Sequence, residues 1–158
     1  MKTVARLVPL LAALACADKI AGTGPTSTVP PTTTVSFPGA TLRAEIAASS
    51  SAREQGLMGR ASMDANSGML FVYGADQSPL LVGFYMLNTP IDLSIAFLDA
   101  NRQVINVDEM TKNTLNTHVA KANFRYAIEA NAGWFTAHGI TAGTVASFTL
   151  PAGTVIAP

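Results

Sequence analysis

Alternating apolar and polar side chains mark three segments of the chain as strands. At residues 41–46, 91–97 and 124–129, apolar side chains recur at every second position, and most of the side chains between them are polar or small. Successive side chains of a strand point to opposite faces of a sheet. This period of two therefore predicts three strands that are each buried on one face.

Continuously apolar runs add four more predicted strands. They lie at residues 69–73, 80–86, 104–107 and 145–150. Short apolar runs bounded by turn residues are typical of strands that are buried on both faces. Seven short strands predict an all-β fold, either an antiparallel sandwich or a partly closed barrel. In the hairpin at residues 99–102, Asn101 is the residue expected to take a positive φ.

Two short helices are expected between the strands. Ser51 and Glu54 have the spacing of a capping box, in which each side chain bonds the other residue's backbone N–H. Gly59 is then the expected end of this helix, after about two turns. A second helix or turn is predicted at residues 132–138, with the large indole of Trp134 in the core.

The first fifteen residues have the features of a secretory signal peptide. They have a basic start at Lys2 and Arg6, and their apolar run is too short to span a bilayer as a helix. Cys16, the single cysteine of the chain, follows a small-residue cleavage site at residues 13–15. This arrangement resembles the lipobox of bacterial lipoproteins, so we predict that Cys16 is lipidated. Ordinary secretory cleavage that leaves a free thiol is the alternative.

Residues 16–37 are predicted to form a tether that begins at the lipidated cysteine. The segment is rich in Thr, Pro and Ser and has no apolar periodicity, so it cannot build a core. Ala17, rather than Asp, follows the cysteine, which resembles lipoproteins sorted to the periplasmic face of the outer membrane. Residues 38–158 then form one domain of about 120 residues, a size that holds a single core.

Charge narrows the range of partners. Removal of the signal peptide leaves eight basic and ten acidic residues, and no stretch of the chain is polybasic. This balance argues against a nucleic-acid partner. The expected partners are the membrane, through the lipid anchor, and an unidentified protein, glycan or small molecule.

Residues suited to covalent or metal chemistry are scarce in the predicted domain. It has no cysteine and no Gly-x-Ser-x-Gly motif, and His118 and His138 fit no nucleophile or zinc pattern. Asp108 and Glu109 are adjacent on a predicted strand, so their carboxylates point to opposite faces. We predict no metal and no cofactor, and the catalytic residues, if the protein is an enzyme, are unknown.

Five short motifs follow one another between residues 53 and 129. They are Arg53-x-x-Gly-Leu-Met-Gly-Arg60, Gly68-Met-Leu-Phe71, Phe84-Tyr-Met-Leu-Asn-Thr89, Ile95-Ala-Phe-Leu-Asp99 and Phe124-Arg-Tyr-Ala-Ile-Glu129. In this order they resemble domain-of-unknown-function family 192 of bacteria and archaea, over about residues 41–149. The resemblance implies a compact β-rich domain, usually exported, with no established activity. Where the family pattern has a hairpin Gly, this chain has Arg102.

Two arginines in the first motif are candidate ligand-binding residues. Arg53 and Arg60 have the spacing of one helical face, where two guanidinium groups suit a carboxylate or phosphate. The alternative is structural: each arginine pairs with a nearby acid, such as Glu45, Asp64 or Glu129, and pins the helix to the sheet.

Four other residues complete the candidate surface, and two functions remain open. Tyr85, Asn88 and Thr89 form either one wall of a polar pocket or a turn that directs the next strand. Glu129 lies in a later motif. The first function is a lipid-anchored binding or accessory module, and the second is a small periplasmic enzyme using Asp or Glu chemistry near Arg53 and Asn88.

Overall fold

A six-stranded sheet with two short helices forms the part of the chain that the computed structural model describes, residues 30–158. The strands are β1 (Thr32–Phe37), β2 (Ala40–Ala47), β3 (Ser67–Gln77), β4 (Leu93–Leu98), β5 (Val104–Met110) and β6 (Phe124–Asn131). Helix α1 (Ser50–Gln55) connects β2 to β3, and α2 (Trp134–Ala137) follows β6. The predicted signal peptide and Cys16 lie outside the described residues.

The strand order is β1-β2-β3-β6-β4-β5. All neighbours are antiparallel except β2 and β3, which are parallel because α1 returns the chain to the same end of the sheet before β3 begins. The β-rich fold with two short helices is therefore confirmed, but the purely antiparallel arrangement is wrong. The sheet is mixed and is not closed into a barrel.

One predicted strand, at residues 80–86, is instead a turn followed by irregular chain. Leu80 and Leu81 expose 91% and 86% of their surface, and Phe84 forms only an isolated bridge with His118. An apolar run has no period, so it does not show whether its side chains face a core or solvent. That ambiguity explains the error.

The last predicted strand, at residues 145–150, forms bridges rather than a ladder. Ser147 exchanges two backbone hydrogen bonds of 2.8 Å with Ser36 on β1, and Val145 bridges Gln103 just before β5. The segment therefore contacts both edges of the sheet at isolated points. The described residues contain six strands rather than the seven that were predicted.

The tether was predicted to extend to residue 37, but its last residues belong to the sheet. Residues 32–37 form β1 and pair with β2 in a hairpin whose register joins Val35 to Leu42 and Phe37 to Ala40. Val35 and Phe37 are buried. This Thr-rich strand contains only two alternating apolar residues. That pattern is too short to distinguish the strand from a linker in the sequence.

Apolar packing covers both faces of the sheet. The first core contains, among others, Val35, Leu42, Leu70, Ala96, Leu98, Ile128, Trp134, Phe135 and Phe148. The second core contains, among others, Leu57, Met69, Phe71, Tyr73, Met86, Leu93, Ile95, Phe97, Phe124 and Ala127. Every residue of β4 is buried because it lies between the two cores, so its predicted exposed face is wrong, although Phe97 is buried as expected.

Local details differ from the predicted caps and turns. The N-cap of α1 is Ser49, whose hydroxyl accepts from the Ala52 N–H, so the predicted capping box is not the cap. The helix ends at Gln55, before the predicted Gly59. In the hairpin before β5, the positive φ of 66° belongs to Arg102 rather than Asn101. Local contacts, and not residue preference alone, therefore determine the N-cap, the end of the helix and the residue with a positive φ.

Candidate functional site

A cavity of about 390 Å³ opens beside the second core. Its lining comes from α1 and the turn after it, from β3, from the segment at residues 82–89, and from single residues of β6 and the C-terminal segment. A cavity of this size holds a ligand of about one or two rings. Residues 82–86, part of the apolar run that is not a strand, supply one side of it.

Glu129 lies at the sheet side of this cavity. Its strand, β6, runs between β3 and β4, and its cross-strand neighbours are Met69 and Ile95. These neighbours are apolar, so the strand pairing gives the carboxyl group no partner. Only 6% of the residue is exposed.

Neither carboxyl oxygen of Glu129 has a hydrogen-bond or ion-pair partner within residues 30–158. In the same part of the chain, no fully buried side-chain oxygen or nitrogen lacks a partner. The oxygens of Glu129 therefore keep some accessible surface, and the cavity that the residue lines supplies it. Removal from water disfavours the charged form, so burial raises the pKa of Glu129 to about 8. The carboxyl group is mainly protonated at neutral pH.

Aromatic rings form the apolar walls of the cavity. Phe71 and Phe84 meet edge to face with ring centroids 5.0 Å apart, and Phe84 packs in the same way on Phe97 at 5.5 Å. Tyr73, also in the wall, contacts Phe124 edge to face at 5.4 Å. These contacts hold the rings in fixed orientations, so the wall is preformed.

Tyr73 adds a neutral hydroxyl to the lining. Burial is the main cause that raises the pKa of Tyr73 to about 12; the Arg53 charge opposes the shift and the Glu129 charge adds to it. The phenol therefore stays protonated at physiological pH. Its oxygen has no hydrogen-bond partner in the described part of the chain. The guanidinium of Arg53 lies over the Tyr73 ring, 4.7 Å from the centroid.

Arg53 lines the cavity but is bound to the backbone. Its Nη1 donates to the carbonyl oxygens of Ala48, Val72 and Ala157, at 2.7, 3.0 and 3.2 Å. Its Nη2 donates to the backbone oxygen of Pro158 at 2.8 Å. The expected structural role is present, but the partners are carbonyl groups of β3, the α1 approach and the C-terminal segment rather than an acid.

Arg60 pairs with a nearby acid, which is the structural role given as the alternative from sequence. It lies outside the cavity. Its guanidinium forms a bidentate pair with the Glu45 carboxylate, at 2.7 and 2.8 Å. These hydrogen bonds raise the pKa of Arg60. Helix α1 ends at Gln55, so Arg53 and Arg60 do not share the predicted helical face.

Tyr85 and Thr89 line the cavity, whereas Asn88 does not. Thr89 is buried, and its hydroxyl donates to the Leu87 carbonyl oxygen at 3.2 Å. Asn88 has a φ of 53°, and its carbonyl oxygen accepts from the Gly59 N–H at 2.8 Å. The pocket wall and the turn, which sequence left as alternatives, are therefore both present in one segment.

The aromatic walls formed by Phe71, Tyr73 and Phe84 were not among the residues selected from sequence. The run at residues 69–73 places Phe71 and Tyr73 on one side of a strand, yet sequence reasoning assigned this run only to the core. The alternation at residues 124–129 places Glu129 on the polar face of a half-buried strand, whereas the structure buries it, so the sequence pattern did not indicate its environment. Nothing in the sequence indicated that Pro158 would lie at the cavity.

Other groups that suit catalysis or metal binding lie apart from this cavity. His118 Nδ1 and Asp108 Oδ2 are 3.8 Å apart, but neither residue lines the cavity. Residues 30–158 contain no cluster of three or more His, Cys, Asp or Glu side chains that suits a metal ion. In the same range, no helix is long and apolar enough to cross a membrane.

The fold and the cavity define a β-rich domain with an open pocket on one face of its sheet. The sequence profile of domain-of-unknown-function family 192, described as "Uncharacterized ACR", matches residues 33–148. The chain belongs to this family, and the resemblance seen in its motifs is confirmed. No protein with curated annotation is similar enough to match the chain.

Crystal structures that are similar to the chain include the following two. One is of a protein from Sinorhizobium meliloti 1021, proposed there to be a transcription regulator; the TM-score is 0.67 at 25% identity, over 74% of this chain and 92% of that one. The other is of a protein of unknown function from Novosphingobium aromaticivorans DSM 12444, with a TM-score of 0.67 and 25% identity over 78% and 89% of the two chains. Both cover most of the described domain.

Proposed function

We propose that the protein is a lipid-anchored, extracytoplasmic binding module whose cavity takes a small-molecule ligand. The observation that carries the proposal is the carboxyl group of Glu129, which is buried at an open cavity without a partner in the described residues. An unpaired buried polar group costs stability. A ligand that bonds this carboxyl group compensates that cost, which gives the arrangement a reason to exist.

The anchor is supported by sequence. Cys16 follows a predicted signal peptide and a small-residue cleavage site, and residues 17–31 separate it from the start of β1. Most of this predicted tether lies outside the described residues; its Thr, Pro and Ser composition is typical of a linker between an anchor and a domain. We place the protein at the periplasmic face of the outer membrane.

Mass spectrometry of the protein from its native membrane tests the anchor. The expected N-terminal peptide begins at Cys16 and carries acyl chains, and the protein stays with membranes through washing. A Cys16→Ala variant is the matched control and should appear in the soluble fraction. An unmodified Cys16 in a soluble wild-type protein would refute the anchor, but it would leave the binding proposal standing.

Ligand-observed NMR with a small-molecule library tests the binding function. Val82→Trp places an indole at the cavity lining and should abolish the binding of hits, whereas Thr41→Trp, at an exposed position on β2, should not. A melting curve of each variant shows that it is folded. Hits that bind the Val82→Trp variant as well as wild type would mean that the cavity is not the site.

An enzyme using carboxylate chemistry is the second candidate, and the raised pKa of Glu129 favours it. A pKa of about 8 suits a general acid or base near neutral pH. Such a site usually needs a second group that acts with the first, and the other acid at the cavity is Glu54, which is exposed on α1. Turnover of a bound compound that is lost in Glu129→Gln would favour the enzyme over the binding module.

Transcription regulation, the role proposed for the Sinorhizobium protein, is not extended to this chain. The mature sequence has slightly more acidic than basic residues, and affinity for DNA depends on clustered positive charge. An export signal also argues for a site of action outside the cytoplasm.

A further inference from the structure

We propose that the cavity selects an uncharged ligand that presents a carbonyl-type oxygen to Glu129 and a flat apolar ring to the aromatic walls. This inference rests on the proposed binding function and specifies the class of ligand. It depends on three properties of the cavity: the unpartnered carboxyl group, the balance of the charges around it, and the orientation of the rings.

The carboxyl group of Glu129 faces the cavity as a hydrogen-bonding group without a partner within residues 30–158. Its cross-strand neighbours Met69 and Ile95 are apolar, and the residue is more than nine-tenths buried. Because its oxygens retain accessible surface, a ligand atom in the cavity can reach them. A protonated carboxyl group donates one hydrogen bond, and a carbonyl oxygen is the matching acceptor.

The charges around Glu129 do not favour a charged ligand. From α1, Arg53 and Glu54 bring one positive and one negative charge to the lining. Tyr73 on β3 and Tyr85 in the segment before β4 are the other titratable side chains of the lining, and burial raises the pKa of Tyr73, so its phenol is neutral.

On the other side, the β4 residues in the second core carry no charge; they are Leu93, Ile95 and Phe97. A cation would require Glu129 to ionise. An anion would find the guanidinium of Arg53 already donating to four backbone oxygens.

The ring preference follows from the walls. Phe71 and Phe84 meet edge to face, and Tyr73 stands beside Phe124, so edges and faces of several rings surround the cavity. A flat ring packs against such walls in the offset or edge-to-face arrangements that aromatic groups prefer. The volume of about 390 Å³ leaves room for one ring with a polar substituent.

Three probes of nearly equal shape separate the possible ligand classes. Benzamide is neutral and offers a carbonyl oxygen, benzamidine is a cation, and benzoate is an anion. Isothermal titration of the full chain at pH 6.5 and pH 9.5 measures the affinity of each probe for wild type and for Glu129→Gln. Thr41→Ala, an exposed substitution on β2, is the control variant.

The expected result is that benzamide binds best and that its affinity falls at high pH. Binding requires the protonated carboxyl group, whose pKa is about 8. Affinity should therefore be constant well below pH 8 and fall about tenfold per pH unit well above it, which is roughly 30-fold between pH 6.5 and 9.5. In Glu129→Gln the side-chain amide still donates a hydrogen bond but does not titrate, so benzamide should bind equally at both pH values.

Three results would overturn the inference in different ways. Tighter binding of benzamidine than of benzamide, with an affinity that rises with pH, would show that the cavity takes cations; the binding function would stand and the ligand class would fall. No binding of any probe to wild type would overturn the ligand class; the binding function would stand if library compounds still bind the cavity, and it would fall if none does. A preference for benzamide with the same pH dependence in Glu129→Gln would show that Glu129 is not the contact.

Discussion

The two faces of the sheet are both apolar, but one buried polar group on the first face is fully hydrogen-bonded, whereas one on the second face has no partner within residues 30–158. On the face of the first core, the Ser94 hydroxyl is completely buried, donates to the Glu109 carboxylate at 2.7 Å and accepts from the Gly133 N–H at 2.7 Å. On the face of the second core, the Glu129 carboxyl group is almost as deeply buried and has no partner in the described residues. A satisfied polar group fixes structure, whereas an unsatisfied one beside a cavity is available to a ligand.

The segments that cover the two faces explain this difference. The first core is covered by α2 and by the segment at residues 140–150, which bridges to the edges of the sheet at Ser36 and Gln103. The second core is covered by α1 and by loops such as residues 78–90, which form turns and leave a cavity. One face is thus a structural core, and the other is a core with a binding site in it.

The largest expected effect tests whether the second core is a true core despite its cavity. Phe97→Ala and Phe135→Ala remove completely buried rings, one from each core. Each should lower the free energy of unfolding by about 3 to 5 kcal/mol, because each loses buried apolar surface and leaves a void. Denaturant titration measures both.

The exposed turn provides the control for this pair. Leu80→Ala, at a side chain that is 91% exposed, should change the free energy of unfolding by less than about 0.5 kcal/mol. A cost for Phe97→Ala no greater than that for Leu80→Ala would mean that the second core contributes little to stability, and the comparison of the two faces would fail.

The next effect concerns the arginine that fastens the C-terminal segment beside the cavity. Arg53→Ala removes four hydrogen bonds to backbone oxygens and the contact with the Tyr73 ring. The side chain is partly exposed, so we expect a loss of about 2 to 3 kcal/mol rather than the sum of the separate contacts. Thermal and denaturant unfolding give this value.

Arg43→Ala is the matched control for the arginine. Arg43 is exposed on β2 and makes no side-chain hydrogen bond within residues 30–158, so its replacement should cost less than about 0.5 kcal/mol. Equal costs for the two variants would indicate that the carbonyl contacts of Arg53 add nothing to stability.

The unpartnered carboxyl group should make stability depend on pH. The pKa of Glu129 is about 8 in the folded protein, above the value of 4.5 for an unperturbed glutamate. The folded state therefore binds more protons than the unfolded state between these values, and stability falls as pH rises through that window and levels off above it. Between pH 6 and 7 the contribution is about 1.4 kcal/mol.

Denaturant titrations at pH 6 and pH 7 compare wild type with Glu129→Gln. All other titratable groups are the same in both proteins, so the difference between the two proteins isolates Glu129. The wild type should lose about 1.4 kcal/mol more than the variant. Parallel pH dependences would mean that the carboxyl group is solvated or paired in solution, and the contrast with Ser94 would disappear.

Sequence was most informative where periodicity was strong. The alternation at residues 41–46 and 124–129 gave β2 and β6, and the buried Phe97 confirms the position of β4. The parallel pairing of β2 with β3 was missed because pairing depends on where α1 returns the chain, which no local pattern records. The apolar residues at 80–86 were misassigned because exposed leucines and strand leucines look alike in sequence.

The site was only partly predictable for a related reason. Arg53, Tyr85, Thr89 and Glu129 line the cavity, while Arg60 and Asn88 do not, although all six were selected from the same motifs. The motifs select candidate residues without fixing their positions in space. Because α1 ends at Gln55, Arg53 reaches the cavity and Arg60 does not. The aromatic walls came from residues that sequence assigned only to the core, because one face of β3 contributes to both the second core and the cavity.

The smallest expected effect concerns Arg60, which lies outside the cavity, unlike Arg53 of the same motif. The Arg60 and Glu45 side chains are 38% and 22% exposed, so their bidentate pair is screened by solvent. A double-mutant cycle with Arg60→Ala and Glu45→Ala should give a coupling energy below about 1 kcal/mol, and added salt should reduce it. Because the pair lies outside the cavity, Arg60→Ala should also leave benzamide affinity unchanged. A loss of affinity in this variant would extend the site beyond the cavity to the surface that sequence first indicated, and both arginines would then belong to it.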